Sequence, residues 1–355
     1  MPGYYFNLPQ ITDLTTVQQV ALDEPNPIAI SGGPGTGKSV VSLWRHISNY
    51  VDSSTNNQSH TKPRKKSLLL TFTTTLTQYL TGCCRTISPV AADNVRTSVK
   101  GKPRSSEHWD EIIIDEAQDL PTSYYEDIKD MAPVSYGADD SQILYPRECS
   151  TQADLQQIFP GNENYVLDRN FRSTYNIMQF ARCQFPNAVI PGALMNALRN
   201  NMGDKPSLMI SGGDKYDKTN NKQDQAIIKI IEAFHEDTHN IAILVPWKSD
   251  VQTFEGVLNQ NNIHDFSVYY EDQNRFPSGA ETIKNIHITT FKSAKGLEFD
   301  TVIIPNFHRI NEILGRFNTE WQDFYVAVTR AKSNLYLISN YNMPQLSTVA
   351  DISTL

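Results

Sequence analysis

The run Gly32-Gly33-Pro34-Gly35-Thr36-Gly37-Lys38-Ser39 constrains this chain more than any other feature. It has the spacing Gly, four residues, Gly-Lys-Ser, and it stands between an apolar strand-like segment and a helix-forming one. Glycines allow successive backbone N–H groups to turn inward around phosphate oxygens, and a helix N-terminus behind them adds partial positive charge. A strand, a glycine-rich turn and a helix in that order imply an α/β unit. Within it, Gly35, Thr36, Gly37 and Lys38 would contact the phosphates of a nucleoside triphosphate. Lys38 would reach the β- and γ-phosphates, and Ser39 would ligate Mg²⁺.

The rest of the chain repeats the same grammar. Short apolar runs alternate with helix-length segments: Pro27–Ser31, Ser67–Phe72, Glu111–Asp115 and Val134–Ala138, then Ser207–Ser211, Asn240–Val245, Phe266–Tyr270, Asn285–Thr290, Thr301–Pro305 and Asn334–Ser339. Unbroken runs such as Ile112-Ile113-Ile114 belong to strands covered on both faces, as in parallel sheets flanked by helices. At 355 residues there is room for two domains. Pro160-Gly161-Asn162 breaks the pattern, so the expected division is 1–160 and 161–355. Asp52–Lys66 and Gly212–Gln223 read as polar surface loops. The net charge of −8 argues against a generally basic coat but leaves room for a local groove of placed cations. Cys83, Cys84, Cys149 and Cys183 show no metal-ligand spacing, which suits reduced thiols in a cytoplasmic protein. The start of the chain lacks a signal-peptide pattern, and no apolar run approaches the ~20 residues that span a bilayer, so no membrane partner is expected.

Asp115 and Glu116 follow directly on the triple isoleucine. A buried strand would deliver this acidic pair at its C-terminal end, where open α/β sheets bind ligands. Asp115 would hold Mg²⁺ and Glu116 would orient and deprotonate the attacking water.

Further motifs then carry a resemblance. Asp115-Glu116-Ala117-Gln118-Asp119 resembles motif II of UvrD-like superfamily 1 helicases. Leu14-Thr15-Thr16-Val17-Gln18 resembles the Q motif, and Leu70-Thr71-Phe72-Thr73 resembles motif Ia. Asp139-Asp140-Ser141-Gln142 resembles motif III, and Leu167–Ser173 resembles motif IV. Thr290–Phe299 is similar to motif V, and Tyr325–Ala331 to motif VI. The resemblance covers nearly the whole chain in the correct order. It implies two RecA-like P-loop NTPase domains, ATP and Mg²⁺ as cofactors, and single-stranded nucleic acid, DNA by the family's habit, as partner. It assigns Gln18 and Phe171 to the adenine, Glu298 to the ribose, Gly296 to the nucleotide site, and Gln142, Arg172 and Arg330 to the γ-phosphate. Phe72, Thr73, Tyr145, Thr290 and Lys292 become candidates for nucleic acid. The two arginines lie in the second half of the chain, so they would complete the site only when the domains close, as arginine fingers do.

Two departures matter. After Tyr145 the chain reads Pro146-Arg147-Glu148-Cys149, without the aromatic that the family uses to grip a base. Neither accessory domain of full-length relatives has room here, so a bare ATPase core is expected. Two functions follow: a minimal motor that translocates on or unwinds DNA, or an ATP-switched subunit that controls a nuclease or other effector, as in antiphage defence systems.

Overall fold

The computed structural model describes residues 4–5, 8–51, 65–143, 148–188, 190–214, 220–270, 283–314 and 320–355. The chain divides into two compact units. One is Phe6–Phe171; the other joins Met1–Tyr5 to Arg172–Leu355.

The first unit is built on six strands: β1 (Ile28–Gly32), β2 (Ser67–Thr71), β3 (Val95–Thr97), β4 (Glu111–Ile114), β5 (Val134–Ala138) and β6 (Glu163–Leu167). Their order is β3-β2-β4-β5-β1-β6, and every pairing is parallel. The triple isoleucine shows why. Side chains alternate across a strand, so Ile113 enters one core with Leu69, Val41 and Ile47, while Ile112 and Ile114 enter the other with Leu68, Leu70 and Tyr125. Each isoleucine is at most 1% exposed, which stabilises the fold by about 1.5–3 kcal/mol per side chain. Helix Lys38–Tyr50 covers the first face and helix Thr122–Ile128 the second.

The second unit has seven strands: β7 (Ser207–Ile210), β8 (Ile241–Val245), β9 (Ser267–Tyr269), β10 (Ile286–Thr290), β11 (Phe299–Ile304), β12 (Ala331–Ser339) and β13 (Asp351–Thr354). The order is β13-β7-β12-β11-β8-β10-β9, again wholly parallel. Helices Asn221–Phe234 and Lys248–Gln260 pack Ile227, Ile231, Val251 and Phe254 against Ile241, Ile243, Ile288 and Ile303.

The expected break at Phe159–Asn164 lies inside the first unit. Asn162 donates its side-chain amide to the Ile28 and Val134 carbonyls at 3.2 and 2.9 Å, and the next residues pair with β1 as β6. The chain passes to the other unit at Phe171/Arg172. Most of the loop expected at Asp52–Lys66 lies outside the described residues, and so does part of Gly212–Gln223, whose last residues begin helix Asn221–Phe234. Cys83 and Cys84 are buried and Cys149 and Cys183 are not; none of the four is in a disulfide. No helix among the described residues is long and apolar enough to cross a membrane.

Candidate active site

In the first unit, β5 separates β1 from β4, so three strand ends deliver the motifs side by side. The loop after β1 turns through Gly35 and Gly37 at φ 72° and 89°, a left-handed backbone that glycine adopts without strain. A Cβ at Gly37 would lie 2.4 Å from Gln18 Nε2, so a side chain there would push the Gln18 amide off the loop. Helix Lys38–Tyr50 starts at once, with Gly37 as its N-cap. The Lys38 ammonium folds back over the loop. It donates to the Gly32 and Gly33 carbonyls at 2.7 and 3.0 Å and lies 3.6 Å from Asp139 Oδ2.

Asp115 stands just past the end of β4 and is 1% exposed. Neither of its carboxylate oxygens has a hydrogen-bond partner at ordinary geometry, nor has the nearby Ser42 Oγ. Both groups flank Gly137 on β5: a Cβ at Gly137 would sit 3.4 Å from Asp115 Oδ1, 3.7 Å from Ser42 Oγ and 3.6 Å from Lys38 Cβ. Gly137 therefore keeps open a gap between strand and helix that a methyl group would fill. Burial and the adjacent Glu116 charge push Asp115 up to about 7, while the Ser39 hydroxyl and Lys38 ammonium pull the other way. A buried carboxylate with orphaned oxygens is a costly arrangement unless a cation completes it. The donors present, a carboxylate with the Ser39 hydroxyl, are hard oxygens of the kind Mg²⁺ takes, and Mg²⁺ sites need only one or two carboxylates beside phosphate. Among the described residues there is no cluster of three or more His, Cys, Asp or Glu side chains placed to hold a metal. The site thus fits a phosphate-bound Mg²⁺ rather than an all-protein cage.

Glu116 holds a left-handed backbone, φ 57°, uncommon for a residue with a side chain. Gln118 fixes it by donating from Nε2 to Glu116 Oε2 at 2.6 Å. The same amide accepts the Asp139 N–H at 3.1 Å, and Asp139 Oδ2 accepts Gln142 Nε2 at 2.5 Å. One chain of hydrogen bonds therefore runs from Glu116 through Gln118 and Asp139 to Gln142, with Lys38 at its side. Gln118, Asp139 and Gly137 were absent from the expected site residues. The first two stand inside the quoted motifs, which was the available signal.

The Gln18 amide is engaged at both ends: Nε2 donates to the Thr36 carbonyl at 3.0 Å and Oε1 accepts the Thr15 N–H at 2.8 Å. It braces the loop. Phe171 is 57% exposed, and its N–H donates to the Gly35 carbonyl at 2.8 Å. Asn170 donates to the Pro34 carbonyl at 2.8 Å. An exposed aromatic is thereby tethered beside the phosphate loop.

Within the second unit, Arg172 Nε and Glu298 Oε2 form an ion pair at 3.0 Å. Arg330 donates to the Val326 and Leu297 carbonyls, each at 3.2 Å. Gly296 turns at φ 81°. Of the nucleic-acid candidates, Thr73 caps helix Thr74–Arg85 by accepting the Leu76 N–H at 3.1 Å. Phe72 is half-buried against the core under β2. Thr290 Oγ1 donates to Ser293 Oγ at 2.9 Å, and Lys292 lies 3.9 Å from Asp323. Tyr145 lies outside the described residues.

Two parallel α/β units, one with a phosphate loop and the Asp115-Glu116 pair, define the class as a P-loop NTPase core. The profile of the UvrD-like helicase C-terminal domain matches residues 270–342. That of the Schlafen group 3 DNA/RNA helicase domain matches residues 26–300, more than half of the chain. The chain belongs to the Schlafen group 3 DNA/RNA helicase domain family. It is 29% identical over 260 residues to the putative ATP-dependent DNA helicase R568 of Acanthamoeba polyphaga mimivirus, a match covering 65% of this chain and 35% of that protein. It is 35% identical over 78 residues to RecBCD enzyme subunit RecB of Chlamydia pneumoniae, covering 22% of this chain and 7% of RecB. The matched region is thus well under half of either relative. Among solved structures, arterivirus nonstructural protein 10, a helicase, aligns over 94% of this chain and 63% of its own at 13% identity, TM-score 0.42. Its complex with DNA aligns over 94% and 65% at 12% identity, TM-score 0.41.

Proposed function

We propose that this chain binds ATP with Mg²⁺ at the phosphate loop, hydrolyses it, and couples the cycle to binding and movement on single-stranded DNA. The observation that carries the reading is Asp115, a buried carboxylate with two orphaned oxygens beside the first residue of the loop's helix. Asp115 and Ser39 would hold Mg²⁺, whose charge would offset that of the phosphates and polarise the γ-phosphoryl group. Lys38 would exchange the Gly32 and Gly33 carbonyls for β- and γ-phosphate oxygens, with Gly35, Thr36 and Gly37 lending backbone N–H groups. Glu116, aimed by Gln118, would accept the proton of the attacking water. Gln142 would sense the γ-phosphate through the same chain of hydrogen bonds, and Arg172 and Arg330 would stabilise charge there. Gln18 and Phe171 would meet the adenine, and Gly296 and Glu298 the ribose side. Phe72 would stack a base, with Thr73, Tyr145, Thr290 and Lys292 toward the strand.

The test is ATP turnover measured with single-stranded DNA, with RNA and with neither, beside a strand-displacement assay on the same preparation. DNA-stimulated turnover with movement is expected. Stimulation by RNA alone would transfer the reading to RNA. Turnover that needs a protein partner and produces no movement would favour the effector-switch role. Undiminished turnover in Lys38→Ala would overturn the assignment.

A further inference from the structure

Tyr4 belongs to the second unit, although the residues that follow it build the first. The residue is 3% exposed, and its ring meets Phe299 edge-on, with centroids 5.8 Å apart. Phe299 is stacked in turn on His287, at 6.0 Å. Burial lowers His287 to about 4, so a neutral ring completes this row. The Tyr4 N–H donates to the Ile283 carbonyl at 2.7 Å. Asn240 grips the next residue from both sides, accepting the Tyr5 N–H at 2.9 Å and donating to the Tyr5 carbonyl at 3.0 Å. The segment is therefore fixed in place, and it aims one polar atom at one residue. The Tyr4 hydroxyl donates to the Glu298 carbonyl and faces the Glu298 N–H at 3.4 Å.

The neighbours of Glu298 are held from elsewhere. Arg330 donates to the Leu297 carbonyl at 3.2 Å, and the Phe299 N–H donates to the Arg330 carbonyl at 3.0 Å. Tyr4 thus clamps the middle residue of three, the one whose carboxylate meets Arg172. A buried tyrosine hydroxyl must find partners, and this one finds both on the main chain of a single residue.

We propose that Tyr4 is a positioning residue for Glu298 and sets the enzyme's grip on the ribose of its nucleotide; the inference rests on the reading of Glu298 given above. Clamping the Glu298 backbone fixes where its carboxylate starts, and hence how well it meets a sugar hydroxyl. Tyr4→Phe keeps the ring and removes the clamp. The experiment compares kcat/KM for ATP and for 2′,3′-dideoxy-ATP in the wild type, in Tyr4→Phe and in Asn240→Ala, with a thermal melt of each. The wild type is expected to prefer ATP. In Tyr4→Phe that preference falls roughly three- to tenfold, the effect of one hydrogen bond, through KM and with kcat little changed. Asn240→Ala, which releases Tyr5, shifts preference in the same direction by less. A Tyr4→Phe enzyme that melts and hydrolyses normally with the wild-type preference overturns the inference. A drop in kcat with preference unchanged also overturns it, because that marks a structural role. A wild type that hydrolyses ATP without distinguishing the dideoxy form removes Glu298 from the ribose and the inference with it. A wild type that does not turn over ATP fails the earlier reading directly.

Discussion

Strand β4 with the residue after it, and helix Lys38–Tyr50, each carry one functional and one structural charge, and the two ends are built differently. At the start of β4, Glu111 meets Arg45 at 2.6 Å with both side chains buried. Arg45 also donates to the Ala21, Glu24 and Asn26 carbonyls at 2.8–3.3 Å. Glu111 also accepts from Asn49 at 3.2 Å and from Ser135 at 2.6 Å. Charge and hydrogen-bonding capacity are nearly used up. At the other end, neither Asp115 carboxylate oxygen has a hydrogen-bond partner at ordinary geometry, and Lys38 rests on two carbonyls beside Asp139. Both ends place an acid at a terminus of β4 and a base on the same helix. Only one is complete. The incomplete end is where a ligand changes the energy most, since an unsatisfied buried group costs free energy until something binds it.

That contrast can be broken at either end. Glu111→Ala leaves the Arg45 charge buried and unpaired, which costs about 3–5 kcal/mol. Chemical denaturation should show this loss, with turnover per folded molecule unchanged. Lys38→Ala is expected to do the reverse, lowering kcat by roughly 10²–10³ or more at near-native stability; single-turnover kinetics alongside a melt would check both halves. Asp115→Asn removes a buried group that ionises above about pH 7, so in that range the nucleotide-free protein should gain about 1–3 kcal/mol, while Mg²⁺-dependent turnover disappears at any pH. Its sign can be checked by pH. Asp115 has a folded value raised to about 7 from an ordinary 3.8, so between those values the native state keeps a proton that the unfolded state has lost. Its contribution is favourable below about 4 and is lost as pH rises toward 7. The wild type should lose stability across this window without Mg²⁺, and Asp115→Asn should lose less. The smallest effect is expected at Phe72→Ala, where affinity for single-stranded DNA should fall roughly tenfold, the lower range for one stacked base, with basal turnover intact. Unchanged affinity in a fluorescence titration would assign Phe72 to the core alone.

The strands that could be read from residue order were those with an apolar run, most of them covered on both faces; the half-buried edge strand β9 was legible through Phe266, Val268, Tyr269 and Tyr270. β3, β6 and β13 escaped notice, and each lies at a sheet edge. β6 shows the reason: its residues Glu163-Asn164-Tyr165-Val166 are exposed or half-buried, so no apolar run marks them. The same strand misled the domain division, because Pro160-Gly161 signals a turn without saying whether a domain ends there. Within the site, the phosphate loop and Asp115-Glu116 were legible because each is contiguous. The Gln118–Asp139 bond joins residues 21 apart and depends on β5 lying between β1 and β4, which residue order does not state. The left-handed turn at Glu116 was invisible for a related reason, since glutamate carries no local preference for it.

The Tyr4–Glu298 bond spans 294 residues, and the first unit lies between its partners. During synthesis at ~5–20 residues per second, Tyr4 is made on the order of 15–60 s before Glu298 exists. The nested unit has a continuous sequence and can close first. The enclosing unit waits with a large apolar ring uncovered, exposed to chaperones and to mispairing. Order of birth, rather than intrinsic stability, thus sets which half of this molecule is vulnerable while it is being made.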